Sequence, residues 1–265
     1  VSKVFKKTST SMETIIFHIH GGGFVSQSSF VHQMYVRKWA NTIGVPVFSV
    51  DYRKAPVYPY PNGLDDCYQT YMWLLYYLEQ IFSNFFVIYR RDTKEDHLTG
   101  DSAGGNLVAA LTCLLIKQGL RVPDGIVLTY PALNLNYNNY TPSLLSSLDE
   151  PILPHTYLKI ACSLTFKMKA EAELDPFLSP IRSSDEILNK FPPTRIFVGN
   201  ADPFHDDCCR LAERLAELNK DVKLTVYDTF PHGFLQFDNP PKGHKYCATA
   251  IDEVRDALGE LIKMK

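Results

Sequence analysis

Long apolar runs, concentrated basic charge and paired cysteines are all missing from this 265-residue chain. The longest strongly apolar stretch, Tyr71–Leu78 (YMWLLYYL), is far shorter than the roughly 20 residues needed to cross a bilayer. A transmembrane segment is thereby excluded. The formal net charge of −2 gives no basic face for a nucleic-acid partner. The six cysteines, Cys67, Cys113, Cys162, Cys208, Cys209 and Cys247, show neither C-x-x-C pairing nor zinc-like spacing. They read as free thiols in a reducing compartment, which places the chain in the cytoplasm. No signal-peptide pattern opens the sequence, and the absence of methionine at position 1 makes Val1 read as an internal residue of something longer. The single sequon, Asn139-Tyr140-Thr141, is followed by Pro142 and is a poor acceptor.

What is present is the composition of a globular protein, 45% apolar and 21% charged, on a length that fits one large domain or two small ones and can bury a sizeable core. Short β-branched runs alternate with helical patterns. TIIFHIH (14–20), PVFSVDY (46–52), HLTG (97–100), GIVLTY (125–130), TRIFVGN (194–200) and VKLTVYD (222–228) read as strands. Helices are expected over 30–44, 65–80, 106–118, about 204–219, and 246–263. This alternation predicts an α/β fold, a mostly parallel sheet flanked by helices on both faces. The stretch from about Leu133 to Lys190 breaks the rhythm, being rich in Asn, Pro, Ser and Leu. It reads as a cap insertion, helical near Pro154–Lys169, within a single catalytic domain covering 1–265.

The sequence HLTGDSAGGNL (97–107) raises the functional question. Glycines around a serine destabilise a helix start unless the backbone must turn sharply or admit something closely. Gly100-Asp101-Ser102-Ala103-Gly104 satisfies G-x-S-x-G, in which the serine hydroxyl is exposed on a tight strand-to-helix turn. Ser102 could simply cap its helix. A nucleophile, by contrast, needs a base, an orienting carboxylate and oxyanion donors.

In this topology the chain order is serine, acid, histidine. Of the histidines after Ser102, His155 precedes every strand able to supply the acid, and His205 is too close in sequence to Asp202. His244 sits among lysines with nothing to hold it. His232, in FPHGFL just after a strand, is the expected base. The loop VGNADPFHDD offers Asp202, Asp206 and Asp207. Asp202 is favoured because it follows the strand and Pro203 fixes the turn, whereas Asp206 and Asp207 suit a helix N-terminus. Asp228 lies only four residues before His232 and is a further contender. HIHGGGF places three consecutive glycines directly after a strand, more than a turn requires. Gly22, Gly23 and Ala103 are the expected amide donors of an oxyanion hole, with His20 anchoring the loop. A capping role for Ser102 would leave HGGG, Asp202-Pro203 and Pro231-His232-Gly233 unexplained.

These motifs resemble the hormone-sensitive lipase family of α/β-hydrolases, whose marks are HGGG upstream of G-D-S-A-G. HIHGGGFVSQSS, WANTIGVPVFSVDYRKAP, GDSAGGNL, DPFLSPI, FPPTRIFVGNADPFHDD and PHGFL carry the likeness over roughly residues 15 to 240. The resemblance implies an α/β-hydrolase fold and a Ser102–Asp202–His232 triad with Gly22, Gly23 and Ala103 as oxyanion donors. It also implies strands and lid helices before the HGGG strand, to be found upstream of Val1 or absent from this chain. The activity implied is hydrolysis of carboxylic esters, acylglycerols or other lipid-like molecules, with no metal or organic cofactor. Its partners would be a small-molecule ester or lipid substrate, with peripheral contact to a lipid surface such as a droplet. The alternatives are an amidase and a non-catalytic small-molecule receptor; such receptors in the family have lost the histidine that His232 supplies here. Leu133, Leu135, Leu144, Leu145, Leu148, Ile152 and Leu153, with Phe24 and Phe234, suit either an acyl site or ordinary core.

Overall fold

The computed structural model describes residues 14–83, 95–136, 138, 140–166, 169–238 and 245–264. His244 and Asn139 of the sequon, together with residues 1–13, lie outside that set. The strands are β1 (Thr14–Ile19), β2 (Val47–Val50), β3 (Glu95–Asp101), β4 (Gly125–Thr129), β5 (Thr194–Gly199) and β6 (Val222–Tyr227). The helices before β4 are α1 (Gln33–Ile43), α2 (Asn62–Ser83) and α3 (Ala103–Lys117). Between β4 and β5 come α4 (Pro142–Ser146), α5 (His155–Thr165), α6 (Lys169–Leu174) and α7 (Asp185–Leu188), followed by α8 (His205–Glu217) and α9 (Lys245–Lys263).

All six strands pair in parallel, in the order β2-β1-β3-β4-β5-β6. This is the α/β-hydrolase fold expected. The chain winds one way from β1 to β2 and the other way from β3 onward. The direction reverses between β1 and β3, where ligand sites form outside the carboxyl ends of the strands. The HGGG loop leaves β1 and the serine turn leaves β3, so both sequence motifs fall at this switch point.

Helix layers cover both faces, and β3, β4 and β5 are buried at every position. The apolar runs 126–128 in β4 and 196–198 in β5 follow from that double cover, whereas β3 has Leu98 alone among polar residues. Helices α1 and α8 show the opposite pattern, whereas α3 is buried along almost its whole length. In α8, Cys208, Leu211, Ala212 and Leu215 are buried at helical spacing, and in α1 Tyr35, Val36 and Trp39 face inward. Gly44 closes α1 in the left-handed region, at φ 76°, a conformation that costs glycine least.

Several boundaries differ from the sequence reading, and the packing gives a physical reason for two of them, the starts of β3 and α3. Strand β3 begins at Glu95 rather than His97, because its charged start finds partners in the interior. Asp96 accepts from Tyr71 Oη and pairs with Arg121, and His97 Nε2 meets Glu95 Oε1 at 2.9 Å. Helix α3 begins at Ala103 rather than Asn106. Ala103-Gly104-Gly105 is a weak helix former, yet only small residues fit there: a Cβ on Gly104 would overlap the Ile19 carbonyl oxygen, and one on Gly105 would sit 2.8 Å from Pro131 Cβ. Helix α2 starts at Asn62 instead of Asp65. The helical stretch expected over Pro154–Lys169 is interrupted, with α5 ending where Phe166 turns extended.

Candidate active site

Three loops at the carboxyl edge of the sheet build the site. Ser102 follows β3 with φ 56° and ψ −121°, a strained backbone for a residue bearing a Cβ. The strain is held by its surroundings: Ser102 N–H donates to the Thr129 carbonyl (3.0 Å), while the Ser102 carbonyl accepts from Asn106 and Ala132. Gly100 and Gly104 let the turn close, since a Cβ on Gly100 would strike the Gly104 carbonyl. Ser102 makes no side-chain capping bond to α3. Its hydroxyl points elsewhere.

That hydroxyl lies 2.8 Å from His232 Nε2, and His232 Nδ1 lies 2.8 Å from Asp202 Oδ2. The Asp202 carboxylate only accepts, so Nδ1 carries the proton, Nε2 is the acceptor and Ser102 Oγ–H donates to it. The other carboxylate oxygen, Oδ1, accepts from the Phe204 N–H at 2.8 Å. Asp202 is fully buried and His232 is 5% exposed. Tyr130 and Phe204 meet the imidazole edge-on, with ring centroids 4.8 and 5.1 Å away. Hydrogen bonds at both nitrogens and rings on its flanks leave the imidazole little rotational freedom.

The rival side chains are engaged elsewhere. Asp206 accepts from the Ser143 N–H (2.9 Å) and meets His205 Nδ1 at 3.1 Å. Asp207 lies beside Arg210, and burial raises its pKa despite that neighbour. Asp228 accepts from Asn200 Nδ2, and the His155 ring packs against Tyr140.

The HGGG loop divides its labour. The Gly21 amide points at the buried cluster below the loop, 3.2 Å from both Asp101 Oδ1 and His32 Nε2. Gly22 and Gly23 adopt φ of 118° and 62°, and no acceptor among the described residues takes their N–H groups. Ala103 is the first residue of α3, so its N–H has no partner within the helix. His20 anchors the loop, as expected: its Nδ1 lies 2.6 Å from the Gly21 carbonyl and its ring stacks on Tyr52.

Beneath the loop is a buried charge cluster that the sequence motifs did not reveal. Asp101 accepts from Tyr35 Oη (2.8 Å) and lies 3.3 Å from His32 Nε2. Burial works against the Asp101 carboxylate, but His32 first, with the Tyr35 hydroxyl, outweighs it and holds its pKa well below the usual range. His32 Nδ1–H donates to the Ser28 carbonyl. Burial disfavours its charge too, yet Asp101 prevails and raises its pKa. Burial pushes His18 down to about 3, so it stays neutral. The signal available was position: Asp101 lies between a strand residue and Ser102, where a lone carboxylate needs partners.

A narrow void opens beside Ser102, bounded by Phe24, Ala103, Leu153, Leu158, Ala161 and Phe204 among others. Of the apolar residues singled out from sequence, Phe24 and Leu153 border it. Leu133, Leu135, Leu144 and Phe234 belong to the core, and Leu145, Leu148 and Ile152 are exposed. The contribution of α5 was missed, although HTYLKIACSLT buries Leu158, Ala161, Cys162 and Thr165 at helical spacing.

A parallel sheet that sets a serine turn after its central strand, with an acid and a histidine in successive later loops, defines an α/β-hydrolase. Residues 16–236 match the family described as the alpha/beta hydrolase fold. The chain belongs to that family. It is 39% identical to hormone-sensitive lipase of Mus musculus over 161 residues, which cover 61% of this chain and 20% of that protein. The match thus spans about a fifth of that lipase's length. An esterase of Acinetobacter venetianus is 28% identical over 239 residues, covering 88% of this chain and 71% of that one. The structure of a hyperthermophilic esterase from Pyrobaculum calidifontis superimposes with a TM-score of 0.83 at 27% identity, covering 94% of this chain and 77% of that one. Among the described residues, no helix is long and apolar enough to cross a membrane.

Proposed function

We propose that the chain hydrolyses carboxylic esters of lipid-like substrates, acylglycerols among them, through a Ser102–His232–Asp202 triad and an acyl-enzyme. The observation that carries this reading is the unbroken run Ser102 Oγ–His232 Nε2 and His232 Nδ1–Asp202 Oδ2, both at 2.8 Å, beside the uncommitted amides of Gly22 and Gly23. His232 takes the Ser102 proton as Oγ attacks the ester carbonyl carbon. The carbonyl oxygen becomes anionic and is received by the N–H groups of Gly22, Gly23 and Ala103, each worth about 3–4 kcal/mol in the transition state. The C–O bond then breaks, the alcohol leaves with the proton from His232, and water repeats the sequence to release the acid. Asp202 keeps Nδ1 protonated and stabilises the imidazolium formed in each half-reaction.

The segment 133–190 acts in this reading as a cap over the site within one domain. Exposed apolar side chains on it, Leu145, Ile152, Tyr157 and Ile160 among them, support peripheral contact with a lipid surface. The cysteines are all free, and all but Cys209 are buried, which supports a reducing, cytoplasmic setting.

The test is hydrolysis of p-nitrophenyl acetate and butyrate by the protein and by Ser102→Ala and His232→Ala, with fluorophosphonate labelling mapped by mass spectrometry. Turnover by the parent, loss of at least about 10³-fold in both variants and label on Ser102 are expected. Equal rates in all three proteins would overturn the reading.

A further inference from the structure

A second void lies next to the one at Ser102, and Phe24 belongs to the lining of both. The two voids follow the same pair of helices. The first rests on Ala103 of α3 beneath Leu158, Ala161 and Cys162 of α5. The second rests on Asn106 and Leu107 beneath Thr165. Each step is about one helical turn, or roughly 5 Å, so the two voids are neighbours along α3 with Phe24 common to both, and the second is closed on its other side by Tyr52, Leu64 and Phe177. Each is about 20 Å³, space for one or two water-sized groups.

The second void is suited to hydrocarbon. Its polar groups are already engaged: Asn106 Nδ2 donates to the Ala132 and Leu178 carbonyls, and Tyr52 Oη donates to the His20 carbonyl. Tyr60 Oη donates to Asp175, and Arg53 is paired with Asp66. Thr165 Oγ1 donates to the Ala161 carbonyl, and the void is lined mainly by ring and aliphatic surface, Phe24, Ala55, Leu64, Leu107, Phe177 and Leu178 among it. Phe24 itself is held by its backbone. It sits at φ 64°, and its carbonyl accepts from the Ala55 N–H at 3.0 Å.

We infer that the two voids are the near and far halves of one acyl groove, and that Phe24 divides them and sets the acyl length accepted. This rests on the ester-hydrolase reading above. An acetyl or propionyl group ends at Phe24; a longer chain requires the far half. Removing the ring joins the halves and admits longer chains.

The experiment compares kcat/KM for p-nitrophenyl acetate, butyrate, hexanoate and octanoate in the parent, Phe24→Ala and Phe24→Leu. Phe24→Ala is expected to raise the octanoate-to-acetate ratio about tenfold or more, the effect of burying roughly two further methylenes. Phe24→Leu should fall between. Phe24→Ala/Leu107→Phe, which refills the far half, should return the ratio toward the parent's. Calorimetric binding of free octanoate reads the same space without turnover and should tighten in Phe24→Ala. An unchanged ratio in active Phe24→Ala and Phe24→Leu overturns the inference, as does equal octanoate affinity in parent and Phe24→Ala. Loss of turnover on every ester by the parent, with octanoate binding still tightened by Phe24→Ala, counts against the hydrolase reading and supports the groove.

Discussion

Replacing Asp202 by asparagine isolates the part of the site that depends on a charge and a tautomer rather than on shape. The two side chains are isosteric, and Asp202 is buried with one oxygen on the Phe204 N–H and the other on His232 Nδ1. Asparagine can satisfy only one of these. With its oxygen kept on the Phe204 N–H, its NH₂ faces Nδ1, so the imidazole must carry its proton on Nε2. That nitrogen can then no longer accept from Ser102. With the amide flipped, Nδ1–H is satisfied but two donors meet at Phe204, which costs about 1–3 kcal/mol for a buried unsatisfied group. The productive arrangement is thus a minority state by roughly 5- to 150-fold, and it also lacks the carboxylate charge that stabilises the imidazolium. Together these predict a loss in kcat of about 10³–10⁴. The assay is p-nitrophenyl butyrate hydrolysis, with urea unfolding of both proteins to establish that Asp202→Asn is folded. A folded Asp202→Asn protein keeping more than a tenth of parental kcat would refute the tautomer reasoning and with it the role given to Asp202.

Two further outcomes follow from packing and from charge. Gly104→Ala places a Cβ against the Ile19 carbonyl and the His20 backbone, neither of which can swing aside; a loss of about 1–3 kcal/mol or more is expected. Because the residues it pushes lead into Gly22 and Gly23, fluorophosphonate labelling should slow as well, and a parental urea midpoint would show that the turn is less crowded than described. For His18, burial lowers the folded pKa from 6.5 to about 3. Between those values the unfolded chain binds a proton that the native state refuses, so stability falls as pH falls, by at most about 1.4 kcal/mol per pH unit. His32 has the opposite sign: its raised pKa contributes stability below its unfolded value, and that contribution disappears as pH rises through the folded one. Urea midpoints between pH 4 and 6 should therefore decline less steeply in His18→Gln than in the parent; equal slopes would refute a neutral, buried His18.

The alternation of β-branched runs with helical periodicity determined a parallel α/β sheet, because strands covered on both faces favour short apolar runs and a helix covered on one face shows apolar residues at helical spacing. HGGG, G-x-S-x-G, Asp202-Pro203 and Pro231-His232-Gly233 were legible for a similar reason: each is a local backbone requirement written in glycine or proline. Glu95 and Asp96 were illegible as strand because what stabilises them inside, Tyr71, Arg121 and His97, becomes visible only once the chain has folded around them. The same holds for Asp101 and His32, separated by most of the first half of the chain and joined beneath the glycine loop. The order of candidate residues along the chain comes from sequence alone. The tertiary structure decided which carboxylate reaches His232 and which side chains enclose Ser102, since hydrogen bonds and van der Waals contacts act over a few ångströms and depend on where the loops converge.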